Sequence, residues 1–375
     1  MEIRIIKDVL VQALGAAQGF ISKTDNNPAL GCVKIVARGT EVTITATDTN
    51  VTMIAKYPAT IIKEDEILVD GKMLFNIAKL APCAAGEEIA LTTIGSSNRL
   101  RVSTGESVQH LNALDADQFP PSPIETGKVS LTLSGADLDT LIGQTHYAIS
   151  GDDNKYGLNG AHLHTTTAAD GSPRLRMVAT DGSRLACSDA PFSGACALPK
   201  RNLLSRKGLG EVRRLIGKTD EMWTITFSDR STSFASGSKR IIARNVEGEF
   251  PNYEQVLPNG FLRRAKVDRG LFESALRRVN LFATDKHHTA AVEFLPGRLV
   301  ITGENVDAGD VREQIAAEVE GEPLKTGFNI QYLNDVLSCT SGVLTLEIGD
   351  ALDPCLIRAE SSPGFLAIVM PMRLD

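Results

Sequence analysis

At 375 residues the chain is too long for one ordinary hydrophobic core, which implies two or three domains. It carries 39 Lys and Arg against 46 Asp and Glu, and a formal charge of −7 argues against a protein held to nucleic acid by its overall charge. There is no charged-then-apolar leader and no apolar run long enough for a bilayer, so a soluble, cytoplasmic protein with no membrane partner is expected. The 6 cysteines are scattered without a C-x-x-C and read as reduced thiols.

In chain order, Leu10, Ala13, Leu14, Ala17 and Ile21 fall at helical spacing, and 71-GKMLFNIAKLA-81 makes a second helix. Between them Val42-Thr43-Ile44-Thr45-Ala46 alternates as a half-buried strand does. The run 115-DADQFPP-121 then places an acidic turn before Phe-Pro, where proline cannot donate to a sheet and holds its predecessor extended. The pattern restarts with Leu138, Leu141, Ile142 and Ile149, Thr145 filling the remaining slot, followed by a helical stretch at 200–216, an alternating Ile225-Thr226-Phe227 and a second acidic Phe-Pro turn, 247-EGEFPNY-253. A third copy runs Phe272, Ala275, Leu276, Val279, Ala283, then a helix at 330-IQYLNDVLSCT-340 and the strand Leu344-Thr345-Leu346-Glu347-Ile348. The openings recur at about 130 residues, a domain-sized period. Three α+β domains are therefore expected, at 1–127, 128–258 and 259–375.

Charge is unevenly spread. Lys200, Arg201, Arg206, Lys207, Arg213, Arg214 and Lys218 are opposed only by Glu211, and Arg263, Arg264, Lys266, Arg269, Arg277 and Arg278 make a second basic cluster. Acid gathers in the last third, at Glu304, Asp307, Asp310, Glu313, Glu318, Glu320 and Glu322. The chain reads as an acidic shell with basic helices, which either meet phosphates or are solvated faces.

Catalytic signatures are missing. Gly208-Leu209-Gly210 runs on to Arg213 where a dinucleotide loop needs its third glycine, and neither a phosphate-cradling G-x-x-x-x-G-K-[ST] nor a G-x-S-x-G elbow occurs. His162 and His164 would share one face of a strand but lack a third ligand at metal spacing, His287-His288 reads as a loop, and Asp181-Gly182 reads as a tight turn. No catalytic residue, metal or cofactor is expected. Met370-Pro371-Met372 is either part of a last strand packed in its own sheet or the wall of an adaptable apolar groove. On the residues alone two further classes stay open: an α+β enzyme of nucleotide or sugar metabolism, and an open DNA-binding repair accessory factor.

The stretches 178-VATDGSRLA-186 and 368-IVMPMRLD-375 resemble signatures of the β sliding clamp of bacterial replicative DNA polymerases, and 152-DDNKYGLNG-160, 247-EGEFPNYEQVLP-258 and 327-GFNIQYLNDVL-337 look like clamp motifs in clamp order. The resemblance implies an α+β DNA-clamp fold of three repeated domains, each two helices backed by antiparallel sheets, two copies closing head to tail into a ring around duplex DNA without reading its sequence. It implies a non-catalytic processivity factor with the replicative polymerase and the clamp loader as partners, and with repair polymerases and mismatch-repair proteins bound through short peptide motifs. Carried over, the peptide cleft would comprise Leu158, Thr180, Gly182, Arg184, Leu185, Pro251, Val256, Tyr332, Met370, Pro371, Met372 and Leu374. DNA would meet Lys23, Lys72, Lys200, Arg201, Arg206, Lys207 and Arg277. The joint would set Leu111 against Leu281 and Phe282, with Arg99 or Arg101 facing Asp307 and Asp310. Ser183 stands where the family commonly has histidine, Gln255 where a basic residue is common, and Asp375 extends the usual Arg-Leu end, which leaves peptide preference open.

Overall fold

Among the described residues each third of the chain contributes two α-helices: α1 (Lys7–Ala17), α2 (Gly71–Leu80), α3 (Gly135–Thr145), α4 (Arg206–Ile216), α5 (Arg269–Val279) and α6 (Ile330–Ser338). The structure, a computed structural model, describes residues 1–22, 27–95, 98–123, 127, 129–152, 154–168, 170–199, 202–217, 220–258, 260–282, 288–305 and 307–374. The second helix of the first third and both helices of the last share one start: Asp70, Asp268 and Asn329 each accept a hydrogen bond from the backbone N–H of Met73, Leu271 and Gln331, at 2.7, 2.9 and 2.8 Å. Such caps satisfy donors that the first helical turn leaves without partners.

Contacts divide the chain into two compact units. One comprises Met1–Gly135, Ser193–Ala195 and Lys207–Asn245, and the other Ala136–Phe192, Cys196–Arg206 and Val246–Asp375. The middle third is shared out because its strands pair with both neighbours. In the first unit Lys239–Arg244 pairs antiparallel with Val51–Pro58, from Ala243 opposite Val51 to Lys239 opposite Ala55, within a 14-stranded sheet. Against α1 lies α4, whose Arg214 Nη2 donates to the Ala16 carbonyl at 2.6 Å. In the second unit Arg184–Ala190 pairs with Ser362–Val369, from Arg184 opposite Val369 to Cys187 opposite Leu366, within a 9-stranded sheet. A 4-stranded sheet ends on the strand Gly309–Ala316. Phe272, Leu276 and Val279 of α5 and Leu333, Val336 and Leu337 of α6 are buried in the core with Phe294, Phe328 and Phe365. Their i, i+3, i+4, i+7 spacing is the stripe read from the sequence.

Several expected elements differ in extent. The helix expected from 200 starts at Arg206, because Leu203–Ser205 is a strand pairing with Gly160–Thr167; two consecutive buried leucines suit a strand buried on both faces. Helix α1 stops before Ile21, where a 3-10 turn at Gln18–Phe20 takes over. Thr145 closes α3 with its hydroxyl donating to the Leu141 carbonyl at 2.7 Å, so Ile149 lies beyond the helix. Helix α6 ends at Ser338. The second basic cluster is not one helix face: Arg263, Arg264 and Lys266 lie on a strand. Most of that cluster is also paired, Arg264 with Glu347, Lys266 with Glu360, Arg269 and Arg277 with Glu273, and Arg278 with Glu313. Lys23, Lys200, Arg201, Lys218, Ala283, His287 and Asp375 lie outside the described residues.

Candidate functional site

The turn joining the strands Pro173–Thr180 and Arg184–Ala190 is built by its own side chains. Asp181 Oδ1 accepts from the backbone N–H of Ser183 at 2.9 Å and of Arg184 at 3.1 Å. The Thr180 hydroxyl donates to the Arg184 carbonyl at 2.7 Å and accepts from Gly182 N–H at 3.2 Å. Gly182 has φ 94°, which only glycine adopts freely. These bonds fix the direction in which Arg184 leaves the sheet.

Arg184 is held from four sides. Its Nε donates to Asp181 Oδ2 at 3.0 Å, its Nη1 donates to Asp335 of α6, and its guanidinium lies over the rings of Tyr332 and Tyr147, 4.4 and 5.4 Å from their centroids. Burial opposes the charge, but the hydrogen bond to Asp335 and the field of Asp181 outweigh it and raise the pKa. The Arg184 cation is therefore permanent and its plane is fixed.

The chain end docks beside this turn. Met370 N–H donates to the Ser183 carbonyl at 2.9 Å and Met372 N–H to the Gly327 carbonyl at 2.8 Å. Pro371, which has no N–H, sits between those two bonds where no donor is needed. A Cβ at Gly327 would lie 2.6 Å from the Met372 carbonyl oxygen and 2.9 Å from Leu374 Cδ2, so only glycine admits the tail. Met370 and Leu374 stay 36% and 40% exposed, large apolar side chains left open to solvent at the end of a packed strand.

On the other face of the hairpin Leu185 stands opposite Ile368 and is buried with Val178, Cys187, Tyr253 and Leu356, Phe250 and Leu257 packing alongside. The 3-10 turn Tyr253–Val256 is pinned by Tyr253, whose hydroxyl is 2.9 Å from His164 Nε2, and by Phe250, stacked on His162 at 5.5 Å. This leaves Val256 50% exposed and Pro251 exposed. Burial, and then the neighbouring His164, depress the His162 pKa to about 4. His162 thus supports this segment as a neutral ring; no group of three or more metal-ligating side chains occurs among the described residues. Leu158, half-buried, closes the turn above: its N–H donates to the Lys155 carbonyl at 3.0 Å, and Lys155 Nζ reaches the Asp181 carbonyl at 3.3 Å.

The expected cleft residues therefore fall around one hairpin and the tail laid against it. Ile368, Asp335, Tyr147 and Gly327 were not foreseen. Of these only Ile368 carried a sequence signal, two residues before Met370 and so on its side of the strand. Among the expected DNA contacts, Lys72 and Lys207 are each the second residue of their helix, and Gln331 holds that place in α6. Lys207 is ion-paired with Asp48, Arg277 with Glu273, and Arg206 Nη1 reaches the Ile149 carbonyl at 3.5 Å. Of the expected joint residues, Leu281 is 77% exposed, Phe282 half-buried, and Arg99, Arg101, Asp307 and Asp310 exposed. Leu111 is only 8% exposed, turned into its own sheet, whereas Val108 on the same strand is 41% exposed.

Repeated α+β units whose sheets run on from one third of the chain into the next, with an apolar cleft open to solvent, have the architecture of a binding scaffold. Models of the N-terminal, central and C-terminal domains of the DNA polymerase III beta subunit match residues 1–123, 132–252 and 254–373. The beta sliding clamp of Caulobacter vibrioides is 30% identical over 376 residues covering 100% of both chains, and that of Pseudomonas putida 29% identical over 386 residues. Solved clamps from Caulobacter crescentus and Bartonella birtlesii, the latter bound to griselimycin, superpose with TM-scores of 0.93 and 0.93 at 29% and 30% identity, over 100% of this chain and 99% and 100% of theirs. The chain belongs to the DNA polymerase III beta subunit family, the beta sliding clamps, non-catalytic processivity factors that encircle DNA and tether the polymerase.

Proposed function

We propose that two copies of this chain close head to tail in the cytoplasm into a ring of six domains, with boundaries in each chain near 127 and 258. The cleft around Arg184, Leu185, Tyr332 and Met370 receives short peptide motifs of the polymerase, the clamp loader, repair polymerases and mismatch-repair proteins. One observation carries the ring: the same strand junction occurs in both units. Arg244 N–H donates to the Asn50 carbonyl at 2.8 Å as Met370 N–H donates to the Ser183 carbonyl at 2.9 Å, each one residue past the last pair made with the neighbouring third. The last third has the corresponding acceptor strand, Gly309–Ala316, at the end of its sheet, and its turn repeats the device, with Asn305 Oδ1 accepting from Asp307 N–H at 2.9 Å and Ala308 N–H at 3.2 Å. The matching strand of the first third is Ser107–Leu114. A second copy pairing these two strands makes a heterologous contact that a twofold axis repeats and closes.

The exposed Leu281 and the half-buried Phe282 lie beside that joint in this reading, with Val108 added to Leu111, and the opposed charges of Arg99 and Arg101 against Asp307 and Asp310 set its polarity. Lys72, Arg206 and Lys207 at helix starts, with Lys23, Lys200, Arg201 and Arg277, attract phosphates without reading bases. Because a topological link needs no tight contact, the cations can exchange phosphates for Asp48 and Glu273 as the ring slides. Loading onto nicked circular DNA by a clamp loader is the test. Retention on the circle that disappears once the DNA is linearised is expected; equal retention on both would overturn the ring.

A further inference from the structure

The turn that builds the peptide cleft has a twin in the first unit. Asp48 Oδ1 accepts from the backbone N–H of Asn50 at 2.9 Å and of Val51 at 2.7 Å, and the Thr47 hydroxyl accepts from Thr49 N–H at 3.0 Å and donates to the Val51 carbonyl at 3.2 Å. Atom for atom these are the bonds of Asp181 and Thr180. Thr52 stands opposite Ile242 as Leu185 stands opposite Ile368, and Arg244 comes next after the pair of Ala243 with Val51 as Met370 comes next after the pair of Val369 with Arg184. Pro120 follows Phe119 as Pro251 follows Phe250.

This second turn borders a cavity of about 520 Å³, lined by Thr47, Thr49, Thr52, Pro120, Arg230 and Arg244 among others. That volume lies within the range of ligand sites, roughly 300–1,000 Å³. Its chemistry is inverted relative to the first cleft. A hydroxyl replaces the leucine and a guanidinium replaces the methionine, and Ser228 and Ser231 add further donors. Arg230 and Arg244 are exposed and have no side-chain partner among the described residues, and Asp229 is the lining carboxylate set against them. Thr49 has φ 77° where the twin turn has Gly182 at 94°. A β-branched residue there is strained, and such strain concentrates at sites that bind.

We propose that this cavity is a second peptide cleft, taking an extended acidic segment of a partner whose carboxylates pair with Arg230 and Arg244. The backbone frame is shared with the first cleft, and the two guanidiniums select carboxylates, with which they can form paired charge-assisted hydrogen bonds. The proposal rests on reading the 180–185 turn as a peptide cleft, and its test separates the two.

The probe is a fluorescein-labelled, end-blocked hexapeptide of alternating Asp and Ser, titrated by anisotropy against the full-length protein beside a peptide with apolar anchors. The same titrations are made on Arg230→Glu with Arg244→Glu, and on protein lacking residues 370 to 375. The acidic peptide should weaken about tenfold or more in the double charge reversal and be unaffected by the truncation, while the apolar peptide should do the reverse. No binding by the acidic peptide, equal affinity in the double variant, or loss on truncation would overturn the second cleft. So would a six-nucleotide oligothymidylate that binds more tightly than the peptide and no longer binds the same variant, because the site would then serve nucleic acid. Failure of the apolar peptide alone would overturn only the reading of the first cleft.

Discussion

Thr49 and Gly182 occupy equivalent turn positions at φ 77° and 94°, and they pull stability in opposite directions. A Cβ in left-handed backbone costs about 1–2 kcal/mol. Thr49→Gly should therefore raise the unfolding free energy in urea and Gly182→Ala lower it, each by about 1 kcal/mol, because a Cβ at Gly182 meets open space and only the backbone conformation resists it. Gly327→Ala should act elsewhere: its Cβ would meet the Met372 carbonyl at 2.6 Å, so the tail shifts and titration calorimetry should find weakened binding of the apolar peptide with the dimer intact. His162 gives a pH signature. Its folded pKa of about 4 lies below the ordinary 6.5, so the unfolded chain binds more protons between those values. Stability from this group is complete above about 6.5 and declines as pH falls toward 4; His162→Phe, which can keep the stacking on Phe250, should flatten the slope of urea stability between pH 7 and 4. The tight turn at Asp181-Gly182 was legible because its chemistry is local. Asp335 was not, since it stands 151 residues from Arg184 and nothing in either segment marks the pairing.

Helices were the most legible elements, because their apolar stripes are periodic and their caps are adjacent in sequence. Their starts were less so where a strand intervened: Leu203-Leu204 fits either element until its partner strand is known. Charge was legible as composition but not as pairing. The run from Arg263 to Arg278 is basic in sequence, yet Glu273 of its own helix, Glu347 and Glu313 on strands and Glu360 in a turn oppose most of it. Replacing Lys200, Arg201, Arg206 and Lys207 by Ala should lower DNA affinity and reduce the slope of log affinity against log salt, by about 0.9 for each phosphate no longer neutralised. Base sequence should not matter to either protein in filter binding or anisotropy; a sequence-dependent drop would contradict backbone recognition.

At the scale of the molecule, the repeat of about 130 residues was visible in the apolar pattern. How the repeats are joined was not, since strand pairing such as Ala243 with Val51 is set by segments far apart in the chain. The exposed Leu281 is the clearest apolar side chain awaiting cover near the proposed joint, at 77%. Replacing Leu281 and Phe282 together by Ala should move the dimer toward monomer, since removing a Leu and a Phe from a formed interface costs roughly 5 kcal/mol. Sedimentation velocity near micromolar concentration reads this, and an unchanged dimer fraction would reject these two residues as part of the joint. Truncation at residue 369 should leave the same sedimentation profile, because the tail belongs to a different segment.

The two strand junctions within the chain also decide where such a ring can part. Each is backed by covalent chain, so a ruptured ladder between Lys239–Arg244 and Val51–Pro58 finds its partner again at the high local concentration that tethering provides. The joints between copies have no such leash. In the proposed ring, strands separated at such a joint drift apart unless something holds them, which makes these joints the place where DNA enters. A protein that opens the ring therefore needs only to spread one untethered seam and keep it spread while the duplex enters.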